Sequence, residues 1–307
     1  MTADMTAAIP DTRAGTPGGA APVAGPTTGA TTTKSGRSRA GLIARLTAAV
    51  VVCLIILFPL YWMVVVAFSS RSELLSGDLR LWPRAFTAAN FSRVLSSFPA
   101  LTWFGNSLAI SLVVSIITVT VNLLAGYAFA QLKFRGSGVL FLIALSTLMI
   151  PVQVIMVALF RLVTTLGLYG SYWAVILPTA ASAFGVFLAR QFLIGIPREL
   201  IEAARIDGAG HLRVFRSIVL PLCKPLLAVL FFMSLLQSWN DFAWPLIALK
   251  ENELFTLPIG LLFLQGQFGP DYGGTMAFAL LSVTPMVIVF LVFQRYFVQG
   301  FARSGIK

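Results

Sequence analysis

Six long apolar runs, separated by short polar connections, set the pattern of this chain. Residues 46–68 carry no charge. A second uncharged run lies between Arg93 and Lys133. The third, residues 136–160, is bounded by Arg135 and Arg161. The fourth, residues 162–189, is interrupted by Gly, Ser, Thr and Pro178. Residues 225–249 form the fifth, broken only by Asp241, and residues 272–294 the sixth. A spanning helix needs about 20 apolar residues. The pattern therefore predicts an all-α membrane protein with six transmembrane helices, in a domain covering residues 41–307.

Composition agrees. The chain is 58% hydrophobic and 11% charged, against about 25% charged residues in soluble domains, and its mean hydropathy is +0.88. The net charge of +11 raises a nucleic-acid reading. The basic residues, however, sit at the ends of apolar runs and form no patch with interleaved aromatics, so no nucleic-acid partner is expected. Their distribution sets orientation instead, because Lys and Arg favour short cytoplasmic loops. With the N-terminus inside, 16 of the 22 basic residues are cytoplasmic, among them Arg135, Arg190, Arg198, Arg205, Arg213, Arg216 and Lys224. The other 6 (Arg71, Arg80, Arg84, Arg93, Arg161 and Lys250) are external. Both termini are predicted to be cytoplasmic.

Residues 1–40 are rich in Ala, Gly, Pro and Thr and poor in large apolar side chains, a composition that predicts a disordered cytoplasmic tail. The run after it is too long for a signal peptide and lacks a cleavage site. Two external connections are expected. Residues 69–100 hold Trp82-Pro83 and a short helix over residues 91–97; residues 250–274 hold a Gly-rich stretch through Gly266, Gly269, Gly273 and Gly274. Pro59, Pro151, Pro178, Pro245 and Pro285 lie in or near spans, where each kinks its helix for packing or for a hinge. Cys53 and Cys223 suggest neither a disulfide framework nor a metal site, and no cofactor is expected.

One polar segment, residues 195–221, interrupts the apolar pattern. Pro197 suits a first helical position, and Glu199 and Glu202 favour the positive end of the helix dipole. Ala203 and Ala204 are strong helix formers. Asp207 precedes Gly208, which suits the position just past a helix end. A second short helix is expected from about His211 to Ile218, with Leu220-Pro221 breaking it before the fifth run. The product is a protruding helix–turn–helix. On the residues alone it is either a docking element, with Glu202 free to pair with a partner's cation, or an amphipathic loop on the membrane surface. No phosphate-binding Gly-rich loop and no nucleophile–base pair is present, and His211 is the only histidine.

The spacing of Glu202-Ala203-Ala204, Gly208, Ile218 and Leu220-Pro221 resembles the signature cytoplasmic loop of ABC importer permeases. Asn106-Ser107, Met149-Ile150-Pro151, Gly167-Leu168, Trp239-Asn240-Asp241-Phe242 and the stretch Gln294 to Gly300 are similar to carbohydrate permeases, in particular the second, shorter permease of maltose-type transporters. The C-terminal Ala302-Arg303-Ser304-Gly305-Ile306-Lys307 departs from the usual ending. The resemblance covers about residues 55–307. It implies a type I ABC importer permease fold with a coupling helix-turn-helix, in a bacterial cytoplasmic membrane. The implied partners are a homologous permease, two cytoplasmic ATPase subunits, an extracellular solute-binding protein, the lipid membrane and a sugar. ATP hydrolysis then falls to a partner subunit. Trp239, Asn240, Asp241 and Phe242 become candidates for the translocation path. Asp241, the only acidic residue in a predicted span, is either a path or gate residue or a structural partner of Asn240 or a neighbouring helix. The aromatics either stack on sugar rings or sit at the interface. The alternatives are a stand-alone secondary transporter, which would need more intramembrane ionisable groups, and an ABC permease for a non-sugar solute.

The tail carries no folding signal. Deleting residues 1–36 is expected to leave membrane insertion and transport near wild type; loss of transport at unchanged protein level would contradict this.

Overall fold

The computed structural model describes residues 39–76, 81–132, 134–267 and 271–304. The expected tail up to residue 38, Arg80, Lys133, Gly269 and Lys307 lie outside the described residues. Contacts divide the chain into two units at Cys53. The first contributes the start of the first helix; the second, Leu54–Lys307, holds the remainder.

The helices follow the six-run pattern at its ends and depart from it in the middle. Helix α1 (Arg39–Ala67) continues through Pro59. Two short helices follow, α2 (Arg71–Leu75) and α3 (Ala89–Ser97), the latter where residues 91–97 predict one. Helix α4 (Ala100–Gln131) runs 32 residues without a break, a length of about 48 Å. The third run bends. Helix α5 (Ser137–Ser146) tightens into a 3-10 turn, Thr147–Met149, and meets α6 (Val152–Thr165) at a bend of 105°. The cause is Pro151, which forces Ile150 out of the helical region (φ −96°, ψ 114°).

The fourth run forms no continuous helix. Gly167 and Gly170 adopt φ of +69° and +76°, a left-handed backbone that ends α6. Helix α7 (Tyr172–Ile176) is short, the chain turns near Pro178, and α8 (Ala183–Ile194) passes the expected end at Ala189. Helices α9 (Arg198–Ile206) and α10 (His211–Val214) come next, then a π turn over Phe215–Val219 and α11 (Leu220–Leu222). The fifth run gives α12 (Lys224–Asn240) and stops at Asp241, whose backbone is extended; α13 (Ala243–Ala248) is a separate helix. The expected external loop 250–274 is largely helical: a 3-10 turn, Asn252–Leu254, precedes α14 (Leu257–Gln267). Helix α15 (Tyr272–Ser304) passes through Pro285.

Among the described residues, three helices are long and apolar enough to cross a membrane: Gly41–Ala67, Ala100–Gln131 and Tyr272–Arg295. Each bent pair, Ser137–Met149 plus Val152–Thr165 and His211–Leu222 plus Lys224–Asn240, taken as one crossing brings the count among the described residues to as many as five by length and composition. The fourth run contributes the shorter apolar helix Ala183–Ile194. Large apolar side chains such as Leu142, Val154 and Val157 face outward, as lipid-facing side chains do.

Helix α4 packs most extensively against α8 and α12, and its two halves enter different cores. Trp103, Ile110 and Val114 join Trp239, Trp244, Leu257 and Phe278. Leu123 and Tyr127 join Leu193, Ile201, Val214, Val219 and Leu226. Along the same helix runs a buried polar stripe: Ser107, Ser111, Ser115, Thr118 and Asn122. Ser111 and Ser115 donate to carbonyls of α4 itself, whereas the other three bond to backbone at helix breaks. Ser107 Oγ accepts from Leu257 N–H (2.8 Å), Thr118 Oγ1 donates to the Thr179 carbonyl (3.0 Å), and Asn122 Oδ1 accepts from Ser182 N–H (3.1 Å). Beside the stripe, Asn106 donates to the carbonyls of Glu253 (2.7 Å) and Phe255 (2.9 Å) and accepts from the Tyr172 hydroxyl (2.8 Å). Gln131 donates to the Leu193 carbonyl at the end of α8 (2.8 Å). At the other end of the fold, Asn90 donates to the carbonyls of Ala67 (2.9 Å) and Ser69 (2.8 Å), and Arg93 pairs with Asp271 (2.9 Å). This node joins the end of α1, α3 and the start of α15.

A methyl at Gly185 would meet the Asn122 amide, whereas one at Gly138 meets nothing within 4 Å. Gly185→Ala is expected to cost about 1–3 kcal/mol and to lower the unfolding midpoint in detergent. Gly138→Ala serves as the neutral control; equal midpoints for the two variants would contradict the role of the Asn122 contact.

Candidate functional site

The polar segment folds as expected locally. Pro197 precedes the first residue of α9, and Glu199 lies in its first turn. The helix ends in a Schellman arrangement: Gly208 takes φ +80°, its N–H donates to the Arg205 carbonyl (3.0 Å), and Ala209 N–H donates to the Ala204 carbonyl (2.9 Å). Ala204 and Ala209 both pack against the core that holds Leu193, Ile201, Val214 and Val219. This closes the turn between α9 and α10 and fixes the element on the body of the protein.

The two alanines therefore have separate jobs. Ala204 faces inward, while Ala203 is exposed beside Glu199, Glu202 and Ile206. Ile206 is 86% exposed. Helical geometry puts these four on one face, opposite buried Ile201. Among the described residues Glu202 has no ion-pair or hydrogen-bond partner. Asp207 is exposed at the helix end, and Arg205 approaches His211 Nδ1 at 3.4 Å. The outward face thus offers two carboxylates, Glu199 and Glu202, the small side chain of Ala203 and one large uncovered side chain, Ile206.

The second half differs from the expectation. The helix does not break at Leu220-Pro221 but continues through Pro221 to Leu222, and the chain bends by 76° before α12. Proline cannot donate its N–H and collides with the carbonyl four residues back in a regular helix. The π turn relieves this: Leu220 N–H donates to the Phe215 carbonyl, five residues back, so the backbone is widened ahead of Pro221. Ile218 and Leu220 are half-buried, Val219 is fully buried, and Pro221 is exposed.

The residues expected at the path are not brought together on one surface. Trp239 is buried, donates its indole N–H to the Ser282 carbonyl (3.0 Å) and stands edge-on to Phe104 at 5.8 Å. It joins α12 to α15 and α4. Trp244 donates to the Ala174 carbonyl (3.0 Å) in the same manner. Asp241 Oδ1 accepts from Trp244 N–H (3.5 Å), capping α13 where α12 stops. Asn240 and Phe242 are exposed. Gln237, one turn before Asn240, is exposed on the same face as Asn240 and Met233. Sequence reading passes over Gln237; its signal is a neutral amide three residues before Asn240 in an otherwise apolar run.

Residues 122–303 match the family described as binding-protein-dependent transport system inner membrane component. The chain is similar to the arabinooligosaccharides transport system permease protein AraQ of Halalkalibacterium halodurans, 39% identical over 83% of this chain and 93% of the relative. It is also similar to the lactose transport system permease protein LacG of Rhizobium radiobacter, 33% identical over 81% and 90%. Among solved structures, its fold matches a chain in the crystal structure of a bacterial ABC transporter involved in the import of the acidic polysaccharide alginate, with a TM-score of 0.77, 24% identity, and coverage of 85% of this chain and 98% of that one. The chain belongs to the inner membrane component family of binding-protein-dependent transport systems.

Proposed function

We propose that this multi-pass membrane protein is one of two homologous permeases of an ATP-driven sugar importer. The relatives named for arabinooligosaccharides and lactose support a carbohydrate solute. In this reading the second permease completes the path, two cytoplasmic ATPase subunits supply the energy, and an extracellular binding protein delivers the sugar. The distribution of basic residues supports cytoplasmic termini.

The observation that carries the coupling role is the outward face of α9. A carboxylate without a partner, beside Ala203 and an uncovered Ile206, fits an ATPase surface that presents a cation and an apolar groove. The Schellman turn at Gly208 and the shared core of Ala204, Ile201 and Val214 hold this face on the body, so force applied there reaches α8 and α12. On the path side, Asn240 and Gln237 are exposed in the last turn of α12, and amides can both donate to and accept from sugar hydroxyls.

Glu202→Lys is expected to abolish uptake and copurification of the ATPase subunit while the protein still reaches the membrane. Normal uptake would remove the coupling role, and uptake without ATP by the isolated chain would favour a stand-alone carrier. Replacing Gln237 and Asn240 together by Ala is expected to raise the KM for sugar uptake about ten-fold, the loss of one or two polar contacts, with ATPase stimulation by the loaded binding protein retained. An unchanged KM would place that face away from the solute.

A further inference from the structure

Tyr127 lies near the end of α4 and is 6% exposed. Its ring stands edge-on to Phe215, with centroids 5.1 Å apart and planes at 62°. Phe215 opens the π turn and directly follows α10. Ile201 of α9, with Val214 and Val219 on either side of Phe215, belongs to the same core as Tyr127. The Tyr127–Phe215 contact thus ties α4 to the π turn that follows the α9–α10 element. The Tyr127 hydroxyl is buried and, among the described residues, has no hydrogen-bond partner.

That combination is unusual. Buried polar groups are nearly always paired, and phenylalanine would fill the same space without an unpaired hydroxyl. A π turn carries one more residue than an α turn and concentrates at functional sites. Rewinding it to α geometry would rotate the preceding helix by roughly 100° about its axis, the angle of one residue. The Phe215 ring would then leave Tyr127, and the reorganised turn would redirect its carbonyls, which offers the hydroxyl a partner.

We propose that Tyr127 is a positioning residue for coupling, which carries motion of the α9–α10 element into α4 and whose hydroxyl gains its hydrogen-bond partner only in the alternate transport state, once the π turn has rewound. The proposal rests on the reading of the chain as an ATPase-coupled permease.

The test uses the assembled transporter in lipid vesicles, with its ATPase subunits and binding protein, comparing wild type, Tyr127→Phe and Phe215→Leu. Uptake kcat and KM, ATPase activity with and without loaded binding protein, and the unfolding midpoint are measured. Tyr127→Phe is expected to keep its midpoint at or above wild type and its KM unchanged. Stimulated ATPase activity and uptake kcat should fall roughly ten-fold, the rate equivalent of one hydrogen bond lost from the alternate state. Phe215→Leu should lower stimulation in the same way while retaining assembly. Wild-type kcat and stimulation in Tyr127→Phe would overturn the proposal, as would a lowered midpoint, which would mean that the hydroxyl is already paired at rest. A wild-type complex with no stimulation by its binding protein would sink the functional reading itself, and this inference with it.

Discussion

Hydrogen bonds from the side chains of α4 to the backbone of interrupted helices are the constraint on which the rest of this fold depends. Inside a bilayer, no water pairs with a carbonyl or amide freed by a helix break, so such breaks survive only where protein supplies the partner. Here Thr118 and Asn122 serve the turn between α7 and α8, Gln131 serves the end of α8, and Ser107 and Asn106 serve the approach to α14. One helix is straight and uncharged so that its neighbours can be broken. The cores on its two halves then take different tasks: one joins the tryptophan joints of α12 and α13 to α15, and the other seats the α9–α10 element.

What was legible in the sequence is what is local. The start of α9, its outward acidic face and its end at Gly208 follow from Pro197, the Glu pattern and the need for a positive φ, all within one short segment. Helices α1, α4 and α15 were legible from length alone, although Pro59 and Pro285 lie inside two of them. Pro151 and Pro178 marked bends in the third and fourth runs, but how far the third, fourth and fifth runs would be interrupted was not legible. Hydropathy counts side chains, whereas a break depends on who bonds the freed backbone, and the answers lie far away in the chain: Asn122 for Ser182, Ser107 for Leu257. Helix α14 was hidden for the same reason, since Leu257 and Ile259 are buried against residues well over 100 positions earlier, around Trp103.

The residues expected at the path make the converse point: a contiguous motif does not fold as one unit. Successive residues near a helix end point in different directions. Trp239 therefore turns inward to bond Ser282, Asp241 turns along the chain to cap the next helix, and Asn240 alone among these three is exposed. The matching neighbour of Asn240 is Gln237, a turn away and outside the motif. Tyr127 was likewise passed over among the small residues around it, because its significance comes from an unpaired hydroxyl and a π turn that only the fold brings beside it.

Two glycines on facing helices set a further condition. A methyl at Gly126 would lie 2.5 Å from the Ala189 Cβ, and Gly185 is pressed on by Asn122. Each helix thus keys into the other at two heights, which forbids both rotation and sliding between α4 and α8. The pair is a stiff rod, and strain entering it at the Ala189 end cannot be absorbed along its length. It must emerge where the backbone is already discontinuous, at the turn before α8 and at the approach to α14. The compliant parts of this permease are therefore its hydrogen-bonded interruptions, and its longest helix is the frame against which they flex.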